Sequence, residues 1–319
     1  MTRYDVFNGD ADGICALQQL RLHEPGESEL VTGVKRDIEL LERVTAQAGD
    51  TVTVLDVSLD KNREGLLRIL AAGASVHYFD HHFAGEIPSH AGLHTHIDTA
   101  GDTCTSLIVN NFLGGRYARW AIAAAYGDNA EPAAERLADS IGLDADSRGK
   151  LRELGIYMNY NAYGETPEDL HFTPQELVRR VRPYSDPLEF VARDPAFADL
   201  KSAYLGDVAK AENLRPHEIS ERCALYLLPC APWARRVSGV FANQLAQANP
   251  QRAHALLTEL ADGAFVVSVR APLATRSGAD ELCRQFATGG GRKAAAGINH
   301  LPKHELDRFS RLFRQQYGG

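Results

Sequence analysis

A chain of 319 residues exceeds what one ordinary hydrophobic core supports and suits two domains. Its 44% hydrophobic and 24% charged residues are those of a globular protein, and no apolar run approaches the roughly 20 residues that cross a bilayer, which excludes a membrane-spanning helix. The net charge of -8 argues against a protein that coats long duplex nucleic acid.

The charge is unevenly divided. Residues 216–319 carry 13 basic and 8 acidic side chains, whereas the first 215 residues carry 21 basic and 34 acidic ones. An acidic half followed by a basic half suits a metal-binding domain joined to an anion-gripping one. The opening Met-Thr-Arg-Tyr-Asp has no apolar stretch of the signal-peptide kind, so a cytoplasmic location is expected. The five cysteines (Cys15, Cys104, Cys223, Cys230 and Cys283) form no C-x-x-C pair and read as reduced, mostly buried thiols.

In chain order, the first hundred residues alternate strand and helix. Short β-rich runs fall at Tyr4–Asn8, Glu29–Val34, Thr51–Val57 and Ser75–His81. Between them, Ile14, Leu17 and Leu20 recur at helical spacing, then Ile38, Leu41 and Val44, then Leu66, Leu67, Ile69 and Leu70, with Gly73 as a helix stop. The repetition predicts βαβ units and a mostly parallel sheet flanked by helices. Helices are expected over 105–126 and 133–160. Prolines 167, 174, 183, 187 and 195 mark a transition, and a helical linker is expected over 196–215. The final part, 216–319, reads as a smaller α/β domain. Its strands are expected at Glu221–Leu228 and Ala264–Arg270, and its helices at Val240–Ala248, Ala279–Phe286 and Lys303–Tyr317.

Acidic and imidazole groups sit where these strands end. Asp10 and Asp12 follow the first strand, Asp56 ends the third, and Asp80-His81-His82 ends the fourth. In a parallel sheet these ends share one edge, where ligands bind in open α/β folds. Crowded carboxylates repel one another unless a proton or a cation intervenes. Carboxylate and imidazole together, without cysteine, suit Mn2+, with Mg2+, Co2+ or Fe2+ as alternatives. Taken singly, Asp-Ala-Asp-Gly reads first as a turn, and Asp56 alone could be a helix cap.

The ordered set Asp10-Ala-Asp12-Gly13, Asp56-Val-Ser58, Asp80-His81-His82 and Gly127-Asp128-Asn129 resembles the motifs of DHH phosphoesterases. Gly289-Gly290-Gly291-Arg292-Lys293 resembles the glycine motif of the DHHA1 domain. The resemblance spans nearly the whole chain and implies an N-terminal DHH catalytic domain, 1–195, and a C-terminal DHHA1 substrate domain. It implies one metal held by Asp10 and Asp56 and a second held by Asp12, Asp56, His81 and Asp128. It gives His82 to the substrate phosphate and Asp80 to orienting a histidine. The chain departs from the pattern twice. Asn8 stands where many relatives have a ligating histidine, which makes it a weak or indirect ligand. Arg292 stands where the glycine motif usually ends in histidine, and its forked guanidinium suits a phosphate or a guanine edge.

Arg270, Gly289, Gly290, Gly291, Arg292 and Lys293 are therefore the expected substrate-binding group, and Arg235 and Arg236 read as a solvated pair. The expected activity is metal-assisted hydrolysis of short linear oligonucleotides, dinucleotides such as pGpG first, to nucleoside monophosphates. A phosphatase or exopolyphosphatase is the alternative enzyme. A nucleotide-binding regulator weakened at Asn8 is the alternative of another class. The expected partner is a short nucleotide, with neither long duplex nucleic acid nor a membrane, and a homodimer stays open.

Overall fold

A computed structural model describes residues 1–318. The chain divides into two compact units, Met1–Ala203 and the part from Tyr204 onward. In the first unit, β1 (Arg3–Asn8), β2 (Glu29–Gly33), β3 (Thr51–Leu55), β4 (Ser75–Asp80) and β5 (Leu93–Ile97) form one sheet in the order β2-β1-β3-β4-β5. All four pairings are parallel. Val52, Val54 and Leu55 of β3 and Tyr78, Phe79 and Asp80 of β4 are buried without alternation, as central strands covered on both faces require. The chain leaves β1 to one side for β2 and to the other for β3, so the carboxyl ends of β1 and β3 flank a topological switch point.

Eight helices accompany this sheet: α1 (Ala11–His23), α2 (Arg63–Ala71), α3 (Thr105–Phe112), α4 (Ala118–Gly127), α5 (Glu131–Ser140), α6 (Ala145–Asn161), α7 (Pro174–Val181) and α8 (Pro187–Arg193). A ninth, α9 (Pro195–Glu212), crosses the boundary between the units. Buried Arg21 of α1 meets Asp5 of β1 through two hydrogen bonds of 2.9 and 3.0 Å, fixing the helix against its strand. Helices α4 and α6 touch because of glycine. A Cβ on Gly155 would lie 1.9 Å from the Ala123 carbonyl oxygen, and one on Gly127 would lie 2.7 Å from the Ala11 Cβ. That approach brings the end of α4 to the sheet edge.

Three local expectations need correction. Ile38, Leu41 and Val44 do not share a helix; only a 3-10 turn forms, over Leu40–Arg43. Its Leu41 N–H is taken by the Asn62 side chain at 3.0 Å, and Ile38 faces solvent, so tertiary hydrogen bonds hold the segment where a longer helix would be needed to propagate. Edge strand β5, with the sequence Leu-His-Thr-His-Ile, has no apolar alternation and is defined only by its pairing with β4. Prolines 174, 187 and 195 open α7, α8 and α9, because a first-turn position needs no N–H.

The second unit contains β6 (Glu218–Ile219), β7 (Cys223–Leu228), α10 (Pro232–Ala248), β8 (Ala253–Glu259), β9 (Phe265–Arg270), α11 (Ala279–Cys283), β10 (Gly289–Gly291), β11 (Ala295–Leu301) and α12 (Leu306–Tyr317). Its sheet runs β10-β11-β9-β8-β7-β6, with β7 and β8 parallel and the other pairs antiparallel. Leu225, Ala255, Leu257, Val267, Phe309 and Phe313 share its core. The helix expected over 279–286 ends at Cys283. Arg236 is not solvated: it is buried against Asp207, with contacts of 2.7 and 3.0 Å. Four of the five cysteines are buried and Cys230 is exposed, all with free thiols. Among the described residues, no helix is long and apolar enough to cross a membrane.

His254 lies fully buried in β8, where burial and the nearby Arg252 charge push its imidazole down to about 4. The unfolded chain therefore takes up a proton near pH 6.5 that the folded unit refuses until about pH 4. Stability contributed by this residue is complete above that window and is lost as pH falls through it. Denaturant midpoints of the second unit measured from pH 7 to pH 4 should fall, and His254→Leu should flatten the decline. An unchanged pH slope in the variant would remove His254 as its cause.

Candidate metal centre

Each acidic residue at the sheet edge is positioned by its own local device. Asp10 caps α1, its Oδ1 accepting the N–H groups of Asp12 and Gly13 at 2.9 and 3.1 Å. Gly13 is required there, since a Cβ would sit 2.1 Å from the Asn8 carbonyl oxygen. Asp12 is buried in the first turn of α1, and both of its oxygens face the N-terminus of α3: Ser106 N–H donates to Oδ1 and Thr105 N–H to Oδ2, each at 2.7 Å. Helix N-terminal amides favour a carboxylate in its charged form.

Asp56 follows β3 with a φ of +59°, a left-handed conformation uncommon outside glycine. Thr105 donates its hydroxyl to Asp56 Oδ1 at 3.2 Å. Asp128 caps the C-terminal end of α4, where the helix dipole opposes a negative charge. Burial and the neighbouring Asp10, Asp12 and Asp128 charges push Asp56 well above the ordinary carboxylate range. Asp128 is also raised, by burial foremost. Burial would raise Asp10 too, but the Lys35 ammonium outweighs it and holds that carboxyl low.

Two histidines complete the edge. His81 Nδ1 lies 3.2 Å from the Thr103 carbonyl oxygen. A carbonyl only accepts, so Nδ1 carries a proton, which leaves Nε2 as the ring nitrogen available to a metal. That Nε2 lies 3.4 Å from Asp56 Oδ1 and 3.7 Å from Asp128 Oδ2. An imidazole nitrogen facing carboxylate oxygens needs a proton or a cation among them. Ligand atoms of Asp12, His81 and Asp128 fall within 4.8 Å of one another, as do those of Asp56, His81 and His82. These residues fit a divalent cation in number, charge and donor type. His82 Nδ1 lies 2.7 Å from Asp80 Oδ1, and its side chain is 46% exposed. Burial lowers the affinity of the His82 ring for a proton, but the Asp80 carboxylate more than compensates and leaves the imidazole above its ordinary range. Buried Asp80 Oδ2 has no hydrogen-bond partner among the described residues.

Asn8 has both side-chain polar atoms engaged with backbone: Nδ2 donates to the Lys35 carbonyl oxygen at 3.2 Å, and Oδ1 accepts the Asp10 N–H at 3.3 Å. Sequence reasoning passed over Lys35, whose ammonium meets Asp10 and Asn159, and over Thr105 and Ser106. The available signal for Lys35 was its place just after β2, on the same edge as the acids. Thr105 and Ser106 could be read only as the start of a helix. Asp102 is exposed and paired with Arg136 at 2.5 Å.

In the second unit, Gly289, Gly290 and Gly291 form strand β10, which turns back into β11 through Arg292–Ala294. Gly289 is needed for packing, since a Cβ would lie 1.7 Å from the Cys283 carbonyl oxygen, whereas Gly290 faces open space. Arg292 and Lys293 are exposed at the hairpin tip. Arg270 pairs in register with Ala295 beside that tip and donates to Asn243 Oδ1 at 2.7 Å.

If Asp56 and its neighbours hold a cation, their metal-free repulsion is the cost of the site. Asp56→Asn, which tolerates the left-handed backbone, should melt in chelator at or above the wild-type temperature. Wild-type protein should gain stability from Mn2+, by about 2.7 kcal/mol at a hundredfold excess over its dissociation constant, and the variant should lose that gain. Thermal melts with chelator and with Mn2+ measure both effects. Equal Mn2+ stabilisation of the two proteins would sink the assignment.

No family model matches the chain, and no curated protein matches it. Solved structures do. A manganese-bound exonuclease RecJ aligns with a TM-score of 0.65 at 17% identity, over 98% of this chain and 90% of that one. RecJ from Thermus thermophilus, in complex with Mn2+, aligns with a TM-score of 0.64 at 19% identity, over 98% of this chain but about half (51%) of that one. The pGpG-specific phosphodiesterase PggH from Vibrio cholerae aligns with a TM-score of 0.60 at 16% identity, over 99% of this chain and 98% of that one. At such identities the likeness is one of architecture: the chain shares the fold of RecJ and PggH.

Proposed function

We propose that the chain is a divalent-metal-dependent phosphodiesterase that cuts short linear nucleotides, dinucleotides first, to nucleoside monophosphates. The observation that carries this reading is the approach of His81 Nε2 to Asp56 and Asp128 at a parallel-sheet switch point. Asp12, Asp56, His81 and Asp128 would hold the cation, and their mixed oxygen and imidazole set suits Mn2+. Such an ion supplies an activated water and stabilises charge on a phosphoryl oxygen. Hydrolysis forms a bond from hydroxide to phosphorus and breaks the bond to the leaving oxygen, which then takes up a proton. His82, whose Nδ1 meets Asp80, would bind the phosphate or supply that proton from Nε2.

Arg270, Arg292 and Lys293 supply the basic groups for a terminal phosphate or base, with Gly290 allowing close approach of the hairpin backbone. The acidic total charge supports a short substrate over a long polyanion. The nearly end-to-end match with PggH supports pGpG as the first compound to test.

The test incubates the purified protein with Mn2+ and pGpG, other dinucleotides, longer RNA, polyphosphate or pyrophosphate, and identifies the products. Dinucleotides should be cut far faster than chains of ten or more. Processive degradation of long strands would replace this reading with a RecJ-like one. Turnover of polyphosphate alone would make the protein a phosphatase, and tight binding without turnover would make it a regulator. Arg292→Ala should weaken substrate binding roughly ten- to a hundredfold, the loss of a charge-assisted contact worth about 1.5–3 kcal/mol, without changing Mn2+ affinity. Unchanged kinetics would leave Arg292 a solvated residue of the hairpin tip.

A further inference from the structure

The motif set implies two cations, but on the Asp10 side a lysine ammonium already stands among the expected ligands. Each acceptor there holds at least one donor. Asp10 Oδ1 takes two backbone N–H groups, and Oδ2 takes the Lys35 ammonium. The same ammonium lies 2.9 Å from Asn159 Oδ1 and 3.5 Å from Asp128 Oδ1, so its three donors have three acceptors. Asn8, at the position of the missing histidine, is turned to the backbone, its amide donating to the Lys35 carbonyl and accepting the Asp10 N–H. The Lys35 backbone is clamped from the other side as well, its N–H donating to the Ala162 carbonyl at 2.9 Å. Two backbone anchors thus aim one long side chain between Asp10 and Asp128.

We infer that the Lys35 ammonium replaces one of the two cations, so that the centre holds a single divalent ion, at Asp12, Asp56, His81 and Asp128, beside a built-in positive charge. This rests on the metal-centre reading proposed above. The replacement accounts for two departures at once: a lysine enters the space that a metal would fill, and the histidine that would ligate that metal becomes an asparagine that positions the lysine. A carboxylate–ammonium contact supplies one positive charge where a divalent ion supplies two. It neither activates a water nor exchanges with solvent ions.

The experiment counts Mn2+ on the full chain by equilibrium dialysis and records its electron paramagnetic resonance spectrum. The wild-type protein should bind one equivalent, with the spectrum of an isolated ion at saturation. Two equivalents with an exchange-coupled spectrum would overturn the inference and leave the metal-centre reading standing, whereas no bound Mn2+ would overturn both. Lys35→Ala, and Lys35→Ala combined with Asn8→His, should raise the count to two and produce the coupled spectrum. Circular dichroism checks that the variants are folded, and the wild-type count stands without them. A folded double variant that still binds one equivalent would show that Lys35 does not occupy the second position.

Discussion

Repulsion among carboxylates at one sheet edge is the constraint on which the first unit is organised. Asp10, Asp12, Asp56, Asp80 and Asp128 converge there, all but Asp128 almost fully buried. Each is answered by a different device. Asp10 has Lys35 and the N-terminus of α1, Asp12 has the N-terminus of α3, and Asp80 has His82. Asp56 and Asp128 are answered least: one sits in a left-handed backbone with neighbouring negative charges, and the other ends a helix of unfavourable polarity. The least compensated acids therefore lie where His81 Nε2 approaches, and local structure concentrates the demand for a cation at one spot.

The acids were legible in the sequence because a parallel sheet converts strand ends, distant along the chain, into neighbours. Once four β-rich runs were recognised, Asp10, Asp12, Asp56 and Asp80 with the two histidines followed. Asp128 came from the resemblance, since nothing local distinguishes it from any acid after a helix. Lys35 and Asn159 were not legible for a further reason. Their meeting depends on how α6 lies against α4, and that contact is set by two glycines, Gly127 and Gly155, whose spacing carries no sign of their partners. Thr105 and Ser106 meet Asp12 through backbone N–H groups, which every residue except proline possesses.

In the second unit the glycine run was readable as a place of close approach, but its geometry was not. Gly289 and Gly291 satisfy the packing of β10 against Cys283 and β11, which leaves Gly290 as the one open position of the three. Strand β10 has no side chains and therefore no β-propensity, and its existence depends wholly on pairing with β11. Arg236 was misread for a similar reason. A pair of adjacent arginines looks solvated until a helix places Asp207 beside one of them.

Residues 103–106 do two jobs within four positions. The Thr103 carbonyl fixes the His81 tautomer, and the Thr105 and Ser106 amides fix the Asp12 carboxylate. These three contacts are made by main-chain atoms, and a change in the length of the segment shifts all of them together. Inserting a single residue there would turn a carbonyl away from one ligand and two amides away from another. The segment is thus intolerant of insertion, the reverse of what an exposed turn between a strand and a helix ordinarily allows.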